Sequence, residues 1–249
     1  MGNVMNKTEI EALLGRHNKI ALQLSGGKDS LACYHLFKPY LNQIVVYWLN
    51  TGDAFPETLA VIEQIKAETP HFIEITSNAP ECRGEFGNPV DILPRSSTPI
   101  GLSSGQSHYL MQDSYSCCAR VIMAPLHQRM LDDGITLIIR GQKNTDSHKA
   151  PFQSGFIENG IEYFFPLENW RDEDVFAYLV EHDIALPRFY TLIDSTLDCM
   201  GCTGWWRDHR ATYLSVHHPE LYQQYRDKMA IIQDEIEQHI VNFNAEVGG

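Results

Sequence analysis

A short apolar run, Ile20-Ala-Leu-Gln-Leu24, breaks into Ser25-Gly26-Gly27-Lys28-Asp29-Ser30 and then into the helical pattern of Leu31, Tyr34, His35 and Phe37. A buried strand, a glycine turn and a helix in that order point to a parallel sheet with right-handed crossovers. The rest of the chain repeats the rhythm. Residues 43–49 are β-branched and aromatic and read as a second strand. Leu59, Ile62 and Ile65 repeat at helical spacing after Pro56, a residue suited to the first helical position. Residues 71–75, 136–140 and 162–165 read as three further strands, and helices are expected over 118–131 and 171–182. The fold class expected is α/β: a doubly wound, mainly parallel five-stranded sheet. Two polar, aromatic helices near 208–216 and 219–243 form a helical C-terminal extension. Residues 76–116 break the pattern, being rich in Ser, Gly and Pro without sustained periodicity, and read as a long functional loop.

The chemistry of the first turn follows from its place. Ligands of parallel sheets bind beyond the carboxyl ends of the strands, and a helix N-terminus offers unpaired N–H groups and partial positive charge to an anion. Gly26 and Gly27 let the backbone approach phosphate oxygens, Lys28 adds a point charge, and Ser25 and Ser30 add hydroxyls. Asp29 suits Mg²⁺ held against the same oxygens. The spacing is not that of a Walker A loop. A bare Gly-Gly turn with a helix cap at Asp29 or Ser30 is the competing reading.

Four of the six cysteines fall into two groups, Cys117-Cys118 and Cys199-Met200-Gly201-Cys202. Two thiolates two residues apart close on one metal or cluster, and two more from a distant loop complete four-coordination. Zinc suits the same ligands. Cys33 reads as a core thiol, and Cys82 as a loop cysteine that is either reactive or without a role.

Composition narrows the partners. With 19 Lys and Arg against 32 Asp and Glu, the formal charge of −13 disfavours unassisted binding to nucleic acid. Such a substrate would come only through a basic partner. No apolar run approaches a membrane span and the N-terminus has no signal-peptide core, so a cytoplasmic protein without disulfides and without a membrane partner is expected.

The turn at Ser25–Ser30 resembles the pyrophosphate-binding (PP-loop) motif of the adenine-nucleotide α-hydrolase superfamily. Three more segments resemble its phosphoadenylyl-sulfate (PAPS)/adenylyl-sulfate reductase family: Leu49-Asn50-Thr51-Gly52-Asp53-Ala54-Phe55-Pro56-Glu57-Thr58, Ile139-Arg140-Gly141-Gln142-Lys143-Asn144-Thr145-Asp146-Ser147, and Pro166-Leu167 with Trp170, Asp174-Val175 and Tyr178. The resemblance covers roughly 20–205. It implies a nucleotide-binding α/β domain over 1–205, followed by the helical extension over 206–249. It places phosphates at Ser25 to Ser30, the nucleoside near Asn50, Thr51 and Gly52, and the α-phosphate near Arg140, Gly141, Gln142 and Lys143. Tandem cysteines followed by a Cys-x-x-Cys resemble the [4Fe-4S] pattern of adenylyl-sulfate reductases. On that pattern Cys117, Cys118, Cys199 and Cys202 are the metal ligands.

Two features depart from the reductases. No cysteine follows Cys202, where the family carries a nucleophilic thiol, and Val121-Ile122 stands where a basic pair is usual. The phosphate loop, in contrast, is complete, as in superfamily members that use ATP and expel pyrophosphate. The expected activity is therefore an ATP pyrophosphatase of sulfur metabolism. It would adenylylate an acceptor for sulfur insertion, with Lys28, Asp29, Arg140 and Lys143 catalytic, Mg²⁺ as cofactor, and a sulfur donor or thiol-redox protein as partner. An assimilatory reductase and a non-catalytic nucleotide sensor are the alternatives.

Overall fold

The structure, a computed structural model, describes residues 5–146 and 149–248, so Ser147 of the third segment lies outside the described residues. Helix α1 (Lys7–Leu14) leads into β1 (Ile20–Leu24), α2 (Lys28–Phe37), β2 (Ile44–Asn50), α3 (Pro56–Glu68) and β3 (Phe72–Thr76). Next come α4 (Ala79–Phe86), β4 (Asn88–Val90), α5 (Pro99–Ser103), β5 (Met111–Asp113) and α6 (Ser114–Cys118). A π turn over Ala119–Met123 continues into α7 (Ala124–Asp132). The chain then forms β6 (Leu137–Arg140), β7 (Phe156–Glu158), β8 (Ile161–Phe164), α8 (Asp172–Glu181), α9 (Arg210–His217) and α10 (Pro219–Val247).

The main sheet has the order β3-β2-β1-β6-β8-β7. Its first five strands pair in parallel, with Ile20 of β1 in register with Ile44 on one side and Leu137 on the other. These are the five strands expected from the sequence, and they form the mainly parallel sheet. Their apolar runs are continuous because the central strands are buried on both faces. Ala21, Tyr47, Ile138 and Ile161 of the sheet meet Met130 of α7 and Ile135 in one core cluster.

The sixth strand, β7, was not expected. It pairs antiparallel with β8 through a two-residue turn in which Asn159 (φ 51°) and Gly160 (φ 81°) both take the left-handed conformation. Asn-Gly is the residue pair that such hairpin turns favour. The segment 76–116 is also more ordered than its composition suggests. Asn78 caps α4 by accepting a hydrogen bond from the Glu81 N–H, and β4 pairs with β5 in a small parallel sheet. Elements of three to eight residues are too short for a hydrophobic period to declare itself.

The chain divides into two compact units. The first comprises Met1–Asn50, Pro56–Thr76 and Pro125–Arg188 and contains the main sheet. The second comprises Thr51–Phe55, Ser77–Ala124 and Phe189–Gly249. Its core gathers Phe55, Phe189, Leu197, Tyr213 and Leu214, and α10 adds Ile232 against Val90 and Met111. The π turn directly after the tandem cysteines has a local cause. Pro125 has no N–H for the Val121 carbonyl, and a wider turn is one way for a helix to absorb that loss. Among the described residues no helix is long and apolar enough to cross a membrane.

Candidate functional site

Strand order in the main sheet reverses between β1 and β6, the point at which an open parallel sheet leaves a crevice at its carboxyl edge. Two of the segments singled out from the sequence meet there. Ser25–Ser30 leaves the end of β1, and Arg140 to Lys143 leaves the end of β6. Gly26 has φ 84°, and a Cβ on it would lie 2.8 Å from Thr58 Cγ2, so only glycine suits the position. The two serines act inside the loop. Ser30 Oγ accepts from the N–H groups of Ser25 and Gly26, both at 3.1 Å, and donates to the Gly27 carbonyl at 2.9 Å. Ser25 Oγ accepts from the Gly27 N–H at 3.3 Å. No side chain caps the start of α2, which leaves its N-terminal end suited to an anion.

Charge is concentrated immediately beside the loop. Lys28 Nζ lies 2.8 Å from Asp29 and 3.0 Å from Asp172. Lys143 Nζ, in a side chain only 1% exposed, bonds to Asp29, to Asp146 at 2.7 Å and to Asp172 at 3.3 Å. Burial alone would depress both lysines. The carboxylates, Asp29 foremost, outweigh it and hold both above the ordinary lysine value. Arg140 differs. Burial lowers its pKa against an opposing pull from Asp146, and its guanidinium makes no hydrogen bond or ion pair among the described residues. An arginine so placed at a strand end is suited to an incoming anion.

Gly141 explains how the two segments come so close. A Cβ there would sit 2.5 Å from the Asp29 carbonyl oxygen, closer than any side chain tolerates. Gly141→Ala is therefore expected to push β6 and the start of α2 apart and to lower stability by about 2–3 kcal/mol. Urea unfolding measures this, and an unchanged midpoint would show that the approach is loose. Gln142 is buried and accepts from the Ala150 N–H at 2.8 Å, while Asn50 donates to Glu74 at 3.0 Å.

Thr51 and Gly52 belong to the second unit, where Thr51 neighbours Cys199. Cys117, Cys118, Cys199 and Cys202 line one small pocket together with Arg83 and Ser114. The Cys-x-x-Cys turn is gripped on both sides. On one side the Met200 N–H donates to the Asp53 carbonyl at 2.8 Å and the Gly201 N–H to Asp53 Oδ2 at 2.9 Å, while Arg83 binds the same carboxylate oxygen at 2.7 Å. Thr51 Oγ1 accepts a contact from Cys199 Sγ at 3.5 Å. On the other side, buried Arg210 donates to the carbonyls of Cys199 (2.8 Å) and Cys202 (3.1 Å) and pairs with Asp208. Burial pushes the Cys117 and Cys118 thiols up to about 12 and raises Cys199 and Cys202 as well. Cys33 stands apart, fully buried in α2.

Several participants had no sequence signal. Asp146 was quoted only as part of a motif, and Asp172 and Arg210 were not singled out. Cys82 is not in a loop. It lies in α4, packs against Cys117 and accepts from Gln112 at 3.8 Å. The neighbours of each are set by tertiary packing rather than by spacing.

An adenosine 5′-phosphosulfate reductase of Burkholderia cepacia is 24% identical over 222 residues, 82% of this chain and 83% of that protein. One from Deinococcus radiodurans is 24% identical over 160 residues, and there the match spans 64% of this chain but only 56% of the relative's length. The crystal structure of a phosphoadenylyl-sulfate (PAPS) reductase from Candida auris, in a phosphate complex, superposes with a TM-score of 0.52 at 15% identity. It covers 80% of this chain and 98% of that one, which establishes a shared fold. The family model for the phosphoadenosine phosphosulfate reductase domain matches residues 19–205, from just before β1 to just past the Cys-x-x-Cys turn. On a match of that extent, the chain belongs to the phosphoadenosine phosphosulfate reductase domain family.

Proposed function

We propose that the protein acts at the α-phosphate of ATP, releasing pyrophosphate and adenylylating an acceptor for sulfur insertion. The observation that carries this is the pairing of a complete Ser-Gly-Gly-Lys-Asp-Ser loop with a second buried lysine, Lys143, at the sheet's switch point. In the proposed reaction an acceptor oxygen or other nucleophile attacks the α-phosphorus and the bond to the bridging oxygen of pyrophosphate breaks. Lys28 and the start of α2 neutralise charge on the departing pyrophosphate, and Lys143 and Arg140 stabilise the α-phosphate. Both oxygens of Asp29 are taken by the two lysines, and among the described residues no acidic cluster is arranged to hold a metal ion. A magnesium ion would come with the nucleotide, held mainly by its phosphate oxygens with one or two carboxylates at most.

The four pocket cysteines are a ligand set that a [4Fe-4S] cluster takes, and zinc takes the same set. A single tetrahedral ion draws four sulfurs to about 2.3 Å from one point. A cubane places a separate iron behind each thiolate and accepts a wider spacing. The cluster would supply electron-transfer or sulfur chemistry, while Asp53 and Arg210 fix the turn that presents Cys199 and Cys202.

The assay is nucleotide binding and isotope exchange between pyrophosphate and ATP. ATP is expected to bind more tightly than AMP, and Lys28→Ala to weaken ATP by roughly a hundredfold while changing AMP little. Equal loss for both nucleotides would show that Lys28 does not touch the terminal phosphates. Absence both of exchange and of pyrophosphate release from ATP would leave a nucleotide sensor. The relatives' names favour a second reading, an assimilatory adenylyl-sulfate or phosphoadenylyl-sulfate reductase. Sulfite trapped from either sulfonucleotide, with thioredoxin as reductant, would establish it.

A further inference from the structure

The two lysines read as phosphate ligands are not idle. Three carboxylates surround two ammonium groups, so the cluster carries an excess negative charge in exactly the place proposed for phosphates. A polyphosphate cannot reach both lysines until one carboxylate gives way. Two of the three are fixed. Asp29 sits in the first turn of α2, 19% exposed, with each of its oxygens bonded to a different lysine. Asp146 accepts the Lys143 backbone N–H at 2.8 Å through Oδ2 while Oδ1 meets the ammonium, which holds the turn that carries Lys143.

Asp172 is different on every count. Its side chain is 54% exposed, and a single oxygen, Oδ1, serves both lysines at 3.0 and 3.3 Å. It opens α8, whose N-terminal N–H groups and partial positive charge stabilise a carboxylate that lets go of the lysines. Lys28 and Lys143 have no equivalent choice, being 8% and 1% exposed.

We propose that Asp172 is a built-in competitor for the phosphate site: it bridges Lys28 and Lys143 when the site is empty and is displaced by pyrophosphate-bearing ligands. A ligand that touches both lysines at once replaces both contacts of Asp172. Orthophosphate or sulfate has fewer oxygens to span the pair and competes poorly. The inference rests on the proposed phosphate site but concerns what occupies it when no ligand is bound, which the activity alone does not dictate.

The experiment is calorimetric titration of the full chain with inorganic pyrophosphate and with orthophosphate, free of magnesium, for the wild type, Asp172→Asn and Lys28→Ala. Removing a half-exposed competing charge is expected to tighten pyrophosphate roughly five- to tenfold, and orthophosphate by no larger factor, since a ligand that reaches only one lysine displaces less of Asp172. The gain should shrink as salt is raised to about 0.5 M, since it is electrostatic. A variant that merely loosened the structure would bind both ligands less well. Thermal melting of Asp172→Asn checks that it folds, and Asp172→Ser gives a second variant with the charge removed. If both variants fold and bind pyrophosphate no more tightly than wild type, Asp172 is not a competitor and the inference fails, while loss of binding in Lys28→Ala would leave the phosphate site standing. If no form binds pyrophosphate, the phosphate site fails and takes the inference with it.

Discussion

Lys143→Met is expected to abolish turnover and to cost about 2–3 kcal/mol of stability. The side chain is 1% exposed and serves Asp29, Asp146 and Asp172 together. Without it those three carboxylates confront one another with Lys28 as the one ammonium left in the cluster. Breaking a fully buried ion pair costs roughly 3–5 kcal/mol, because the partner left behind is desolvated and unpaired. Here the partners retain 19%, 29% and 54% of their exposure, so water recovers part of that penalty. The kinetic loss should be larger than the thermodynamic one. A cation fixed beside the α-phosphate in a water-poor site contributes on the order of a thousandfold. Urea unfolding and pyrophosphate release from ATP read the two effects separately. Near-normal release by a stably folded Lys143→Met would remove this lysine from the reaction.

That lysine also shows what the sequence reveals and what it hides. A glycine pair between an apolar strand and a helical pattern is a local signal, and the structure builds the loop where that signal places it. Lys143 could be singled out because it lies within a recognisable segment after a strand. Its partner Asp172 could not. Twenty-nine residues separate the two, and nothing in Arg171-Asp172-Glu173-Asp174 distinguishes the residue that turns toward the lysines from ordinary acidic residues in a first helical turn. The hairpin at Asn159-Gly160 is the opposite case, since the turn residues were in plain view and only the shortness of β7 concealed the strand.

The loop between β2 and α3 gives a further lesson. Asn50, Thr51 and Gly52 are contiguous, and resemblance assigns them together to the nucleoside. In the structure Asn50 is tied to Glu74 of β3, whereas Thr51 touches Cys199 and Asp53 holds Gly201. Adjacent residues thus serve different units. The hydrogen bonds that separate them come from residues some 150 positions downstream, beyond the reach of any spacing argument.

The cysteine turn supplies the other large effect. Anaerobically purified protein is expected to be brown, with about four iron and four acid-labile sulfide per chain, as one cubane requires. Ser substitution at Cys117, Cys118, Cys199 or Cys202 should bring both counts close to zero, because each thiolate anchors its own iron. Cys33→Ser, buried away in α2, should retain them. Cys82→Ser should retain them too, although Cys82 packs against Cys117, since the proposed ligands are the four cysteines that line the pocket. Burial holds those four thiols protonated until a cation arrives, so loading must expel protons and should improve as pH rises toward their raised values. Asp53→Ala separates ligand identity from ligand placement. It removes no thiol, yet it frees the Gly201 N–H and leaves Arg83 without its carboxylate. Iron content should therefore fall in part rather than completely, with faster loss of colour in air than in wild type. Colourless protein carrying one zinc would retire the cluster and leave a structural metal site, and full iron in Cys199→Ser would show that the pocket thiols are not the ligands.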